Sequence, residues 1–288
     1  MISLAGNTTL SEPVDHRANI NGLGIHYVDW GSVGKQPVLL LHGIARDART
    51  FDHLAVHLNG RHHVIAPDLR GHGDSDWDPH SAYLVEDYVR DIEALVEQLR
   101  LRDIILWGNS TGGRVAQVLA GIRPDLVAAV ICEDVGPERP REVSNRRAER
   151  MTKEASGWTS MDSLLLHLKA HHPRTSEALL LAHAHHSSKV RPDGCFVLKR
   201  DPRIVEGFVP TELWRFVQQI KAPIVYILGA GSSIVPPDTQ ERLRETLPQA
   251  QIITMPGLGH YPSDEDPAGV LGIVKQFLSA HKTIPRSD

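Results

Sequence analysis

Short apolar runs, rich in β-branched residues, recur along the chain and alternate with stretches of helical periodicity. Residues 38–41, 104–107 and 224–228 are apolar at every position, as expected of strands buried on both faces of a parallel sheet. Between such runs, residues 83–99 place apolar side chains at helical spacing. Alternating strands and helices predict an α/β fold with a doubly wound, mostly parallel sheet.

The regular alternation stops in the middle of the chain. Residues 137–214 contain helical patterns and no run typical of a buried parallel strand. We therefore predict a core formed by residues 1–136 and 215–288, with residues 137–214 inserted as a helical cap. In open α/β sheets, ligand crevices form at the carboxyl edge of the strands. The cap is expected to pack over that edge.

Composition narrows the function classes. The chain has 288 residues, of which 41% are hydrophobic and 23% charged, and a formal net charge of −4. This balance gives no reason to expect nucleic acid or an anionic membrane as a partner. No apolar run approaches the roughly 20 residues that span a bilayer, and residues 1–17 carry no secretory signal. We expect a cytoplasmic enzyme with a small-molecule substrate; the sequence does not indicate an oligomeric state.

Ser110 lies where a predicted strand gives way to a predicted helix. The segment reads Gly-Asn-Ser-Thr-Gly over residues 108–112. Its glycines permit a sharp turn in which the serine adopts a strained backbone conformation. Such a turn places the hydroxyl at a helix N-terminus, where developing negative charge is favoured. We interpret Ser110 as a nucleophile, although a small-residue turn of this composition also occurs by chance.

Four motifs, each at the end of a predicted strand, resemble those of the α/β-hydrolase fold family. They are the Leu-His-Gly of residues 41–43, the segment 68–75, the turn around Ser110, and Gly259-His260. The resemblance covers nearly the whole chain. It implies that His260 is the general base that accepts the proton of Ser110. It also implies an oxyanion hole formed by the backbone N–H groups of Ile44 and Thr111.

The acid of the triad departs from the family pattern. Most members carry aspartate in the loop after the strand that corresponds to residues 224–228, and Ser232 stands there in this chain. Some branches, including certain haloalkane dehalogenases and the zearalenone lactonases, place the acid one strand earlier. Asp134 occupies that position, and we predict that it orients the imidazole. Glu133 and Asp238 remain alternatives.

Three further residues are candidate substrate contacts: His42 in the predicted oxyanion loop, Trp107 as a pocket wall, and Arg146 in an arginine-rich stretch of the cap. Arg146 could offer a guanidinium to a substrate carboxylate, although a solvated basic face is the simpler interpretation. The cap histidines include pairs at i,i+4 spacing, but no cysteine or carboxylate pattern completes a metal site. We therefore predict no metal and no cofactor.

These features together favour a serine hydrolase that cleaves a small ester, lactone, amide or carbon–carbon bond through an acyl-enzyme. One alternative is a cofactor-free dioxygenase of an N-heteroaromatic substrate, which shares the fold and the position of the acid. The other is a non-catalytic ligand-binding protein. The fold by itself does not separate the three.

Overall fold

The computed structural model describes residues 12–205 and 211–281. In chain order the strands are β1 (Val14–Ile20), β2 (Leu23–Asp29), β3 (Pro37–Leu41), β4 (His63–Pro67), β5 (Ile104–Asn109), β6 (Val127–Glu133), β7 (Ser188–Val190), β8 (Phe196–Leu198), β9 (Ile224–Gly229) and β10 (Gln251–Met255). The α-helices are α1 (Asp52–Leu58), α2 (Val85–Gln98), α3 (Thr111–Ile122), α4 (Arg141–Glu154), α5 (Met161–His171), α6 (Glu177–Ser187), α7 (Trp214–Val217), α8 (Pro237–Thr246), α9 (Pro262–Glu265) and α10 (Pro267–Ala280). Short 3₁₀ turns cover Ala48–Phe51 and Pro202–Val205.

Eight strands form one mixed sheet in the order β1-β2-β4-β3-β5-β6-β9-β10. β1 and β2 pair antiparallel, as do β2 and β4. The other pairings within this sheet, β4–β3, β3–β5, β5–β6, β6–β9 and β9–β10, are parallel. β1 and β2 form an N-terminal hairpin, with Asn21 and Gly22 in its turn at positive φ. The predicted α/β fold with a mostly parallel sheet is confirmed.

The central strands are apolar on both faces because helices cover both. In β3, Leu39 and Leu41 pack into a cluster with residues of α2 and α3. Val38 and Leu40, which point the other way, pack with residues of α1 and α10. This alternation follows from the two-residue period of a strand. The sheet is thus the middle layer of three, and the carboxyl ends of its parallel strands lie along one edge.

The segment between β6 and α7 carries α4, α5, α6 and the β7–β8 hairpin. The two strands of this hairpin are antiparallel, and Asp193 and Gly194 lie in the loop that joins them. Tyr83 in the core donates a hydrogen bond to Asp201 at 2.5 Å, and the backbone N–H of Asp201 donates to the carbonyl of Gly71 at 2.8 Å. The segment is therefore tied to the core through the loop that follows β4.

Some predictions concern residues that the structure does not describe. The prediction about a secretory signal concerns residues 1–17, of which 1–11 lie outside the described ranges. Residues 206–210, near the predicted end of the cap, also lie outside them. Among the described helices, none combines the length and the apolar character that crossing a bilayer requires.

Candidate active site

Ser110 occupies the turn between β5 and α3 with a strained backbone. Its φ is 50° and its ψ is −115°, a combination that residues other than glycine rarely adopt. A Cβ atom added to Gly108 would collide with the backbone of Gly112, and one added to Gly112 would collide with the carbonyl of Leu41. The two glycines therefore permit a turn that keeps the serine at the amino end of α3.

The loop after β3 packs against this turn. A Cβ atom on Gly43 would lie 3.2 Å from the Cβ of Ser110. The buried ring of His42 fixes the loop, since its Nδ1 donates to the Gly43 carbonyl at 2.8 Å and its Nε2 accepts from the N–H of Leu69 at 2.9 Å. Burial lowers the pKa of His42, which favours the neutral ring that these two bonds require.

Two backbone amides beside Ser110 are the predicted oxyanion donors. Thr111 is the first residue of α3, and amides in a first helical turn lack an intrahelical acceptor. Ile44 lies in the loop that packs on Ser110. Across residues 12–205 and 211–281, neither N–H donates a hydrogen bond to the chain. Their assignment as an oxyanion hole stays a prediction.

His260 lies in the loop after β10, close to the serine turn. The side-chain amide of Asn109, next to Ser110, donates to the His260 carbonyl at 3.2 Å. The ring Nδ1 lies 2.6 Å from Oδ2 of Asp134. The ring Nε2 is buried and has no hydrogen-bond partner among the described residues. One side of the imidazole is thus held by a carboxylate, and the other remains available to accept a proton.

Asp134 follows β6 directly, with φ of 44° and 1% of its surface exposed. Its Oδ1 accepts from the N–H of Gly229 at 3.2 Å, and its Oδ2 accepts from the hydroxyl of Ser232 at 2.5 Å. Ser232 stands where most of the family carries the acid, and here it donates a hydrogen bond to the carboxylate on the neighbouring strand. These two hydrogen bonds satisfy both oxygens of a buried side chain.

The two alternative acids lie elsewhere. Glu133 points to the other side of the sheet, where it accepts hydrogen bonds from Trp107 and from the hydroxyl of Ser263. Burial raises the pKa of Glu133 to about 7. Asp238 is exposed at the start of α8, where its Oδ1 accepts from the N–H of Thr239 at 2.9 Å. Of the three carboxylates, Asp134 is the one in contact with His260.

Tyr261, which follows His260, sits in a cluster of cations. Its ring meets that of His260 edge to face, with centroids 4.7 Å apart, and Arg147 donates to its hydroxyl at 3.2 Å. The guanidinium of Arg46 lies 4.2 Å from the ring centroid. Burial acts to raise the pKa of Tyr261, but the nearby positive charges, Arg147 foremost, lower it to about 6. The surrounding cations therefore favour the ionised form of Tyr261, although Arg46 is itself paired with the buried Asp264.

A cavity of about 860 Å³ opens between α4, α5 and the loops that carry His260 and Ser232. Its lining includes His260, Tyr261 and Ser232 from the core, and Trp158 and His172 from the segment above. Cavities of this size hold small organic ligands. The lining also includes Arg146, one of the predicted substrate contacts.

The other two predicted contacts lie away from this cavity. Trp107 is fully buried in the layer with α1 and α10, where its indole N–H donates to Glu133. Both ring nitrogens of His42 are taken up by backbone groups. The structure thus gives Trp107 a packing role and His42 a loop-holding role. Because Trp107 points to the far face of β5, it is not positioned to line the cavity.

Side chains that could ligate a metal come together away from the cavity, beside the loop after β4. Among the described residues, His26, Asp68 and Asp74 bring their ligand atoms within 4.8 Å of one another. These groups are already engaged: Nδ1 of His26 lies 2.7 Å from Asp68, and the N–H of Asp74 donates to the same carboxylate at 2.8 Å. Asp68 also accepts from the N–H of Ala48 at 2.6 Å. The cluster therefore braces the loop that follows β4.

Sequence reasoning missed several residues of the site. Arg46 and Arg174 lie near the loop of His260, which also carries Tyr261, yet none of the three belongs to a recognisable motif. Tyr261 could have been noticed because it follows His260. The contact of Arg147 with Tyr261 spans 114 positions, and no local pattern marks it.

Comparison with known proteins identifies the family. A model described as "Alpha/beta hydrolase family" matches residues 38–273. A 3-hydroxybutyrate-oligomer hydrolase of Cupriavidus necator is 27% identical over 286 residues, covering 90% of this chain and 95% of that protein. An sn-1-specific diacylglycerol lipase of Mus musculus is 30% identical over 265 residues, covering 84% and 80%. The crystal structure of E-2-(acetamidomethylene)succinate hydrolase superposes with a TM-score of 0.87 at 24% identity, covering 93% and 100%, and so shares the fold. The chain belongs to the alpha/beta hydrolase family.

Proposed function

We propose that this hydrolase cleaves its substrate with a catalytic triad of Ser110, His260 and Asp134. The observation that carries the proposal is the imidazole of His260, which is bound at Nδ1 by Asp134 at 2.6 Å and has its Nε2 buried without a partner among the described residues. An imidazole anchored in this way presents one basic nitrogen in a fixed orientation.

The geometry supports a two-step acyl transfer. The Oγ of Ser110 forms a bond to the substrate carbonyl carbon while its proton passes to Nε2 of His260. Asp134 stabilises the resulting imidazolium. When the tetrahedral intermediate collapses, the bond to the leaving group breaks, and the leaving group takes the proton from His260. Water then attacks the acyl-serine with His260 as its base, which releases the acid and restores the hydroxyl.

The oxyanion of each intermediate would be bound by the N–H groups of Ile44 and Thr111. Loss of a donor of this kind typically costs about 10²–10³ in rate. The positions support this role, because Thr111 begins α3 and the loop of Ile44 packs on Ser110. Residues 137–214 would act as a cap that encloses the cavity and limits the access of water.

The substrate is a small molecule, and the bond that is cleaved in it is an ester, lactone, amide or carbon–carbon bond. Relatives named as a hydroxybutyrate-oligomer hydrolase and a diacylglycerol lipase favour an ester. A third relative, a 2-(acetamidomethylene)succinate hydrolase of Mesorhizobium japonicum, is 23% identical over 97% of this chain. Its named substrate contains an amide, so the comparison keeps amide cleavage open for this chain.

A fluorophosphonate probe tests the proposal, because it phosphonylates only an activated serine. We expect one label per chain, located on the peptide that contains Ser110 by mass spectrometry. Ser110→Ala should remove the label and His260→Ala should slow labelling strongly. A second serine labelled instead, or no label on a folded protein, would reject the triad. Oxygen consumption during turnover would instead indicate the dioxygenase.

A further inference from the structure

We propose that the substrate carries a free carboxylate, which the guanidinium groups of Arg147 and Arg174 hold beside His260. The inference rests on the proposed function, since it assigns a substrate class to the same site. It follows from the charge of the cavity and from the positions of Arg147 and Arg174.

The cavity has more cationic than anionic side chains. Its lining contains the cations Arg146, Arg147, Arg150, Lys153 and Arg174, and the anions Glu149, Glu154 and Glu265. Two of these carboxylates are already used within the protein. Glu154 pairs with Arg200 at 2.8 Å and with His167 at 2.9 Å. Glu265 accepts hydrogen bonds from the backbone of the His260 loop.

Four of the cations, in contrast, have no carboxylate partner in the described part of the chain, and one of these, Arg147, donates to the hydroxyl of Tyr261. Among the described residues, no carboxylate oxygen lies within 4.0 Å of the charged nitrogens of Arg146, Arg147, Lys153 or Arg174. Arg150 shares Glu154 at 3.2 Å. Arg147 is half-buried, and a half-buried guanidinium without a counterion favours an anionic ligand, whereas Arg146, Lys153 and Arg174 are exposed.

Two of these arginines contact the residues on either side of His260. Arg147, from α4, donates to the hydroxyl of Tyr261 at 3.2 Å. Arg174, from the loop after α5, approaches Gly259 so closely that an added Cβ atom would lie 3.2 Å from its Nη1. The same guanidinium also lies near Gly231, where an added Cβ atom would be 3.4 Å from Nη2, an ordinary van der Waals distance.

The planar guanidinium suits a carboxylate in particular, because its paired N–H groups match the two oxygens. Two such groups near the base would hold a substrate by its charged end beside His260. The lowered pKa of Tyr261 is consistent with the cations around it, since burial alone would raise it. Arg147 and Arg174 are therefore binding residues of the substrate.

A matched pair of esters tests the inference. Mono-4-nitrophenyl succinate carries a carboxylate, and 4-nitrophenyl valerate is a neutral ester of similar length. We expect kcat/KM to be higher for the succinate ester. Arg147→Met and Arg174→Met should each lower the ratio of the two kcat/KM values by roughly 10- to 100-fold, as expected for loss of a charged hydrogen-bonded pair. Arg141→Met, on the exposed start of α4 outside the cavity lining, is the control and should leave the ratio unchanged.

Direct binding separates this inference from the catalytic proposal. Ser110→Ala should bind glutarate in a calorimetric titration, and addition of either arginine substitution should weaken binding at least tenfold. No glutarate binding, binding of inorganic phosphate alone, or an unchanged ester ratio in both variants would overturn the carboxylate assignment. Glutarate binding by a protein whose serine resists fluorophosphonate would keep the assignment and reject only the triad.

Discussion

Asp134 gathers the hydrogen bonds that a buried carboxylate requires. The N–H of Gly229, the hydroxyl of Ser232 and the ring of His260 all meet its two oxygens. Its positive φ turns the side chain away from the strand direction toward the neighbouring loop. Its position after β6 is the reason the sequence predicts Asp134 as the acid of the triad. The donor role of Ser232 was not predictable, because it depends on how two parallel strands align.

Asp47 is the opposite case, a buried carboxylate outside the triad whose oxygens lack hydrogen-bond partners among the described residues. Burial and the charge of Asp68 raise its pKa to about 7. Because the folded-state pKa lies above the ordinary value of 3.8, the folded protein holds this proton more tightly than the unfolded chain does. The group therefore costs stability progressively as pH rises from about 4 to about 7.

We predict that Asp47→Asn removes this pH-dependent cost. The difference in Tm between the variant and the wild type should grow in favour of the variant from pH 4.5 to pH 8. Calorimetry at several pH values measures it, and Asp162→Asn on the exposed start of α5 is the control. A Tm difference that stays constant over this range would contradict the assignment of a raised pKa to Asp47.

At the scale of elements, the β5–α3 turn is the most constrained connection. Gly112 packs directly against the carbonyls of Leu41 and His42 at the end of β3. The turn cannot move away without separating α3 from the sheet that it covers. This close packing of helix on strand explains why a glycine is needed there, apart from any role in catalysis.

We predict that Gly112→Ala lowers the free energy of unfolding by about 3 kcal/mol or more, since the new Cβ meets backbone atoms that cannot rotate away. Gly272→Ala is the matched control: it lies inside α10 with no atom near the added Cβ. That change should stabilise the protein by about 0.5–1 kcal/mol. Urea unfolding measures both, and equal stabilities for the two variants would contradict this account of the turn.

For the whole molecule, the sequence was most informative where structure depends on local pattern. The apolar runs predicted the parallel strands, because a strand buried on both faces is apolar at every position. The helical periodicities predicted a helical segment within residues 137–214, because a helix buried on one face repeats its apolar residues at helical spacing. The cluster of cations around Tyr261 could not be predicted from the sequence. Arg46 and Arg147 reach it from two separate parts of the chain, and only the packing of those parts brings them together.

The central claim is that the acid of this hydrolase lies after β6 and not after β9. Ser232 offers a check on the geometry, since its hydroxyl is 2.5 Å from the carboxylate that binds His260. An aspartate at position 232 should therefore reach the same ring. In an Asp134→Asn background, we expect Ser232→Asp to recover part of the lost activity.

The most direct test is kcat for 4-nitrophenyl ester hydrolysis by Asp134→Asn, with Asp238→Asn as the control and thermal unfolding to verify both folds. The account predicts that Asp134→Asn lowers kcat by roughly 10⁴-fold, because the imidazole loses its orienting anion. Asp238→Asn should stay within about twofold of the wild type. Near wild-type turnover for a folded Asp134→Asn, with collapse of Asp238→Asn, would contradict it.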